Sequence, residues 1–283
     1  MKKQINNKEL KAVDFFCSGG GMSYGLTMAG INVLAGIDID ISCKATYEAN
    51  LPNSKFIHAD IKKYSVKELG KAIEIRQNDD SMIFIGCSPC QYWTKINTIK
   101  AKSHKTKNLL EDFKRFVDFF NPGYIVIENV PGILSKKKES GLDAFLENLE
   151  NRNYAVEFKV INFNYYGVPQ SRKRFTLIAT RIGNKKLFPM QETEYKPVVK
   201  DFIGENNGFY RIPAGHRDNT DFMHTASLLS EKNLQRIGLT PENGGNRLSW
   251  ANSVLQLNTY KRLGNNSFKD VYGRMSWDKP APT

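Results

Sequence analysis

Residues 12–25 read AVDFFCSGGGMSYG: a β-branched and aromatic run passing straight into three consecutive glycines and then an amphipathic stretch. A strand that ends in Gly19, Gly20 and Gly21 lets the backbone approach a ligand closely, while the helix that follows presents free N–H groups at its start. The same alternation continues outward. NVLAGI (32–37), KFIHA (55–59), MIFIG (82–86) and YIVIE (124–128) read as strands, and LLEDFKRFVDFF (109–120) and GLDAFLENLE (141–150) carry apolar residues at helical spacing. Strands alternating with helices imply right-handed crossovers and a mostly parallel sheet covered on both faces, an α/β fold. AVEFKVIN (155–162) and KRFTLIAT (173–180) follow, separated only by a turn-rich segment, so an antiparallel strand is expected among them. Beyond about residue 183 the pattern gives way to Asn-, Gly- and Pro-rich sequence with one short helix expected at SEKNLQRIG (230–238), Ser230 serving as its N-cap. A boundary at 183–197 divides the chain into a larger domain, 1–183, and a smaller region, 184–283.

Composition narrows the function. No apolar run approaches the roughly 20 residues that a bilayer crossing needs, and the start lacks the apolar core of a signal peptide, so the cytoplasm and no membrane association are expected. Four cysteines (Cys17, Cys43, Cys87, Cys90) in 283 residues are no disulfide framework, and a single C-x-x-C without a second ligand pair predicts no metal. A net charge of +12 points to an anionic partner, nucleic acid first. The excess is uneven: residues 1–150 carry 21 Lys and Arg against 18 Asp and Glu, residues 151–283 carry 20 against 11. Within the first part, 91–110 holds Lys95, Lys100, Lys102, Lys105 and Lys107 with no acid. A solvated loop explains such a run as readily as a phosphate-binding one.

In a doubly wound sheet, chemistry gathers at the carboxyl ends of the strands. Asp38 lies about 20 residues beyond the glycines, where a carboxylate can accept hydrogen bonds from both hydroxyls of a ribose. Asp60 ends the third strand and can accept from an adenine amino group, although a cap for the segment after it accounts for it equally. No G-K-S/T follows the glycines, so the turn is no P-loop, and Ser18 stands where a dinucleotide fingerprint has its first glycine. S-adenosylmethionine, with adenosine but no pyrophosphate, fits better. The fourth strand runs into GCSPCQ (86–91), placing Cys90 at the head of the lysine-rich loop, where cations favour the thiolate; Cys87, nearer the strand, is expected to be buried. Glu128 tips the strand YIVIE, where a carboxylate is expected to be protonated or to grip a polar ligand. A thiolate and a carboxyl group on adjoining strand ends suit covalent attack on an electron-poor ring assisted by protonation. A thiol oxidoreductase using Cys87 and Cys90 is the rival from another class.

DFFCSGGGMSYGL, GCSPCQ, ENV (128–130) and QSRKR (170–174), in that order and at those separations, resemble the cytosine-C5 DNA methyltransferase family over residues 12–180. The resemblance implies a Rossmann-like S-adenosylmethionine-dependent sheet of seven strands, mostly parallel with one antiparallel, followed by a target-recognition region over 184–283. It implies Cys90 as nucleophile with Gln91 beside it, Glu128 as the acid, and Arg172 and Arg174 as supports of the target base. Phe16, Gly20, Gly21, Asp38, Ile39, Asp60, Ile61 and Leu110 match its cofactor-pocket positions. Double-stranded DNA is the implied partner, with the target cytosine flipped from the helix and the loop Tyr92–Asn108 as a lid. The Cys-Phe-Thr stretch of the family's transfer-RNA branch is not evident. The family pattern also runs on to an Arg-Glu-Ala helix and a final Gly-Asn-Ala-Val-Pro motif that this sequence does not reach. A fragment, an early-terminated product, or the larger half of a split enzyme with a second polypeptide as partner are the readings left open, and the last would make this chain a cofactor- or DNA-binding subunit. In 197–283, His216, Arg217, Arg247, Lys261, Arg262 and Arg274 are the candidate DNA contacts, although a solvated surface explains any one of them as well.

Overall fold

The computed structural model describes residues 9–87, 109–190, 194–220, 224–263 and 272–282. It divides into two compact units: Met1–Ile161 with Lys173–Pro189, and Asn162–Arg172 with Met190–Thr283.

The first unit holds seven strands: β1 (Lys11–Phe15), β2 (Asn32–Asp38), β3 (Lys55–His58), β4 (Met82–Gly86), β5 (Tyr124–Asn129), β6 (Ala155–Asn162) and β7 (Lys173–Thr180). They form one sheet in the order β3-β2-β1-β4-β5-β7-β6. Pairing is parallel from β3 through β5, and β7 runs antiparallel to β5 with Glu128 opposite Thr176. All seven strands and the reversed one agree with the expectation from sequence. Chain order reverses between β1 and β4, and the carboxyl ends of β1, β2, β3, β4 and β5 therefore share one edge of the sheet, where open α/β sheets bind ligands.

The helix Leu109–Phe120 shows why that edge is well supported. Leu109, Leu110, Phe113, Phe116, Val117 and Phe120 are its buried face, repeating at three and four residues. Phe15 of β1 meets Phe84, Phe113 and Phe116 with ring centroids 5.1 Å apart in each case, tilted or edge-on. That geometry gives aromatic pairs a gain beyond simple burial. Gly86, at the end of β4, lies so close to this helix that an added Cβ would stand 3.2 Å from the Phe113 ring. Gly123, before β5, is tighter still: a Cβ there would fall 2.1 Å from the Asp80 carbonyl oxygen. Among the described residues no helix is long and apolar enough to cross a membrane.

The second unit is mostly irregular. Its longest described helix, Glu231–Leu239, starts where expected, but the Ser230 side chain makes no capping bond; its carbonyl accepts the Asn233 and Leu234 amides instead. The core here is unusual in using arginine. Arg236 lies over the rings of Trp250 and Tyr272, at 5.7 and 5.6 Å, and donates to the Leu255 carbonyl and to Asn233. Arg247 is 1% exposed and packs 4.1 Å from the Tyr260 ring centre.

Candidate functional site

The turn after β1 is held in a conformation that side chains resist. Phe16 (φ 66°), Ser18 (φ 47°) and Gly20 (φ 91°) all adopt left-handed backbone. Ser18 thus occupies a conformation that glycine would adopt freely, which explains both why a glycine is expected there and what its replacement costs, about 1–2 kcal/mol of strain. The turn is tied to β2 instead: the Phe16 and Cys17 amides donate to the Ile37 carbonyl (2.9 and 3.1 Å), and the Ser18 amide donates to Asp38 Oδ2 (2.9 Å). Asp38 Oδ1 takes the Asp40 amide at 2.9 Å. A carboxylate has about four acceptor sites, so two remain for a ribose. Gly20 is the N-cap of the helix Gly21–Met28 and brings no side chain over the first amides, and a Cβ on Gly21 would meet nothing within 4 Å.

Beneath this turn lies a polar line that sequence reasoning missed. Asp14, 1% exposed, accepts the Ser23 hydroxyl at 2.7 Å; the Tyr47 hydroxyl donates to Ser23 Oγ at 3.3 Å and lies 2.8 Å from Ser54 Oγ. Burial pushes the Asp14 carboxyl up to about 7, opposed by its interaction with Ser23 and aided by the charge of Asp38. Asp14 Oδ1 is buried without a partner. Burial likewise pushes the Tyr47 phenol up to about 12 and the Cys17 thiol upward, which makes Cys17 inert. The Tyr47 ring is the floor of the turn: a Cβ on Gly20 would stand 3.0 Å from it and one on Gly36 2.5 Å. The available signal was an aspartate inside an otherwise apolar strand.

Farther along the edge, Asp60 Oδ1 accepts the Lys62 amide at 3.1 Å, the local cap that its position suggested. Ile61 and Leu110 are buried at 5% and 6% exposure in the main core, Phe16 packs partly against that core, and Ile39 is exposed. The structure brings Phe16, Gly20, Gly21, Asp38, Ile39, Asp60, Ile61 and Leu110 into one unit, with Glu128 and Arg174.

Glu128 has a solution that the sequence reading did not offer. Arg174 Nε lies 2.8 Å from Glu128 Oε1, both side chains being largely buried, and Arg174 Nη1 donates to the Lys173 carbonyl. The guanidinium offsets the cost of burying the carboxylate and fixes its direction. Antiparallel register, with Asn129 opposite Phe175, sets Arg174 beside Glu128. The two arginines of QSRKR separate: Arg172 belongs to the other unit, where its carbonyl accepts the Phe163 amide. Cys87, expected to be buried, is half-buried, packed against the smaller apolar cluster of Ala12, Val33, Ile83 and Ile85. Cys90, Gln91 and the lysine-rich loop lie outside the described residues. No cluster of metal-ligating side chains occurs among the described residues.

The candidate DNA contacts divide too. Arg217 and Lys261 are exposed and His216 half-buried. Arg247 is a core residue, 1% exposed and packed over the Tyr260 ring, so its side chain is not open to a phosphate. Arg274 is spent on the Thr240 carbonyl and Glu242.

A model of the C-5 cytosine-specific DNA methylase family matches residues 10–277. The type II methylase M.HgiDII of Herpetosiphon aurantiacus is 36% identical over 272 residues, 96% of this chain and 74% of that protein. The type II methyltransferases M1.BsuMI of Bacillus subtilis and M1.HphI of Haemophilus parahaemolyticus are 28% and 30% identical over 99% and 84% of the chain, which spans 66% and 62% of their lengths. A prophage-encoded E. coli protein assigned as a DNA modification methyltransferase shares the fold, with TM-score 0.67 at 19% identity over 97% of this chain and 82% of its own. The Entamoeba histolytica methyltransferase EhMeth does so with TM-score 0.56 at 18% identity, over 84% of this chain and 69% of its own. With a family model covering nearly its whole length and a relative above 30% identity, the chain belongs to the C-5 cytosine-specific DNA methylase family.

Proposed function

We propose that this chain methylates C5 of a cytosine flipped out of double-stranded DNA, through a transient bond between Cys90 and the base. The observation that carries this reading is the pairing of two features on one sheet edge: the open glycine turn with Asp38, and the largely buried Glu128–Arg174 pair. The residues present suit S-adenosylmethionine. Asp38 retains acceptor capacity for the ribose hydroxyls, Gly21 leaves room above the helix start, and Asp60 offers a carboxylate to the adenine amino group. When bound, S-adenosylmethionine supplies the electrophilic methyl group.

The protein's part is to make C5 a nucleophile. The Cys90 thiolate adds to C6, and the electron pair displaced from the C5–C6 bond gives C5 and the N3 side of the ring negative character. Glu128, oriented by Arg174, acts in its protonated form: one carboxyl oxygen gives its proton to N3 and so neutralises the charge that develops there, while the other accepts from the exocyclic amine. Once C5 carries the methyl group, a base takes the C5 proton, the C–H bonding pair re-forms the C5–C6 double bond, and the Cys90 sulfur leaves as thiolate. Lys95, Lys100, Lys102, Lys105 and Lys107 are suited by their charge to neutralising DNA phosphates.

Trapping tests the reading. The chain is incubated with S-adenosylmethionine and duplexes carrying 5-fluorocytosine, whose fluorine cannot be lost as a proton is. A covalent adduct mapping to Cys90 is expected, dependent on the cofactor. An adduct at Cys87, or none on any duplex, would overturn it.

A further inference from the structure

We infer that Arg115 is a positioning residue that sets the base specificity of the cofactor pocket, by locking the turn that carries Asp60 and Ile61. The inference rests on reading that pocket as the S-adenosylmethionine site. Arg115 lies on the helix Leu109–Phe120, more than fifty residues along the chain from the turn. Its Nη2 donates to two carbonyls of the turn, those of Ile61 at 2.6 Å and Tyr64 at 3.1 Å. The turn is closed on itself as well, because the Asp60 carbonyl accepts the Lys63 and Tyr64 amides, both at 2.9 Å, and the Asp60 side chain accepts the Lys62 amide.

The turn is also held by the Ala59 amide, which donates to the Asp38 carbonyl at 3.0 Å, and by apolar contacts. Ile61 is 5% exposed in the core, and the Tyr64 ring stacks on Phe116 with centroids 6.4 Å apart. Apolar contacts hold a segment down but let it slide and rotate, since they are not directional. Two carbonyls aimed at one guanidinium nitrogen fix the peptide planes, and with them the direction in which the Asp60 carboxylate leaves the backbone. Arg115 is itself braced, its guanidinium carbon lying 5.0 Å from the Phe116 ring centre. Asp60 discriminates only if its oxygen sits where the purine 6-substituent arrives: an amino group donates to it, whereas a 6-oxo group sets oxygen against oxygen. A site built to hydrogen-bond one substituent rejects its analogue strongly, provided that the partner cannot move away. Arg115 removes that freedom.

The test is calorimetric binding of S-adenosylhomocysteine and of its 6-oxo counterpart, S-inosylhomocysteine, to the full chain and to Arg115→Ala and Arg115→Lys. Arg115 is exposed, so neither substitution threatens the core. The unaltered chain is expected to prefer the amino purine, and Arg115→Ala to lose about tenfold on it while the 6-oxo ligand changes little, so that the preference collapses. Arg115→Lys should keep part of the preference through its single ammonium. An equal loss on both ligands, or an unchanged preference in Arg115→Ala, overturns the inference, as does an unaltered chain that binds both ligands alike. Binding of neither ligand by the unaltered chain overturns the pocket reading itself and the inference with it.

Discussion

Replacing Asp14 by Asn separates burial from charge beneath the glycine turn. The carboxyl is 1% exposed and its pKa is raised from 3.8 to about 7, chiefly by burial. A folded-state pKa above the unfolded one means that the native protein binds the extra proton between those values. The associated stability is present in full below pH 3.8 and is lost as the pH rises through 7. The displacement corresponds to about 4 kcal/mol on neutralising the site, at roughly 1.4 kcal/mol per pH unit. Asparagine is neutral throughout and keeps one oxygen for the Ser23 hydroxyl. Its amide nitrogen falls where Oδ1 has no partner, at a cost of about 1–3 kcal/mol, but the protonated acid faces the same loss. Below about pH 4 the two proteins should therefore unfold at similar urea concentrations; Asp14→Asn should already be more stable by about 1–2 kcal/mol at pH 5, and by about 4 kcal/mol at pH 8. Urea unfolding followed by far-ultraviolet circular dichroism at pH 5, 6, 7 and 8 measures the difference. A difference that does not grow between pH 5 and pH 8, or a variant less stable at pH 8, refutes the reasoning.

Ser18→Gly relieves a left-handed serine and should be neutral or raise stability by up to about 1 kcal/mol; Gly20→Ala, whose Cβ would stand 2.8 Å from Leu51, should lower the melting temperature and weaken S-adenosylmethionine binding together. Gly123→Ala meets a rigid carbonyl at 2.1 Å, and soluble expression or thermal unfolding should show a loss of about 3 kcal/mol or more. Arg174→Met leaves the largely buried Glu128 without its guanidinium, and single-turnover methylation should slow about a hundredfold or more, with a smaller change in cofactor affinity. Cys87→Ala should retain methylation whereas Cys90→Ser should lose it, as scored by methyl transfer to duplex DNA; the opposite order would favour disulfide chemistry.

What could be read from the sequence alone was whatever depends on neighbours along the chain. Seven strands and the helix Leu109–Phe120 were legible because alternating and helical spacings are local patterns, and the glycine turn was legible because its conformation needs residues without Cβ atoms. Asp38 and Glu128 stood out as acids at strand ends. Their partners did not. Nothing local distinguishes Arg174 from Arg172, two positions away; antiparallel register between β5 and β7 selects Arg174 to meet Glu128. Arg247 looked like a surface charge because arginine usually is one, and only packing against Tyr260 made it core. Asp14, Tyr47 and Arg115 acquire meaning from atoms 9 to 54 residues distant. Burial, pairing and the resulting shift in proton affinity are properties of the space around a group, and that space is created by contacts that no stretch of sequence contains.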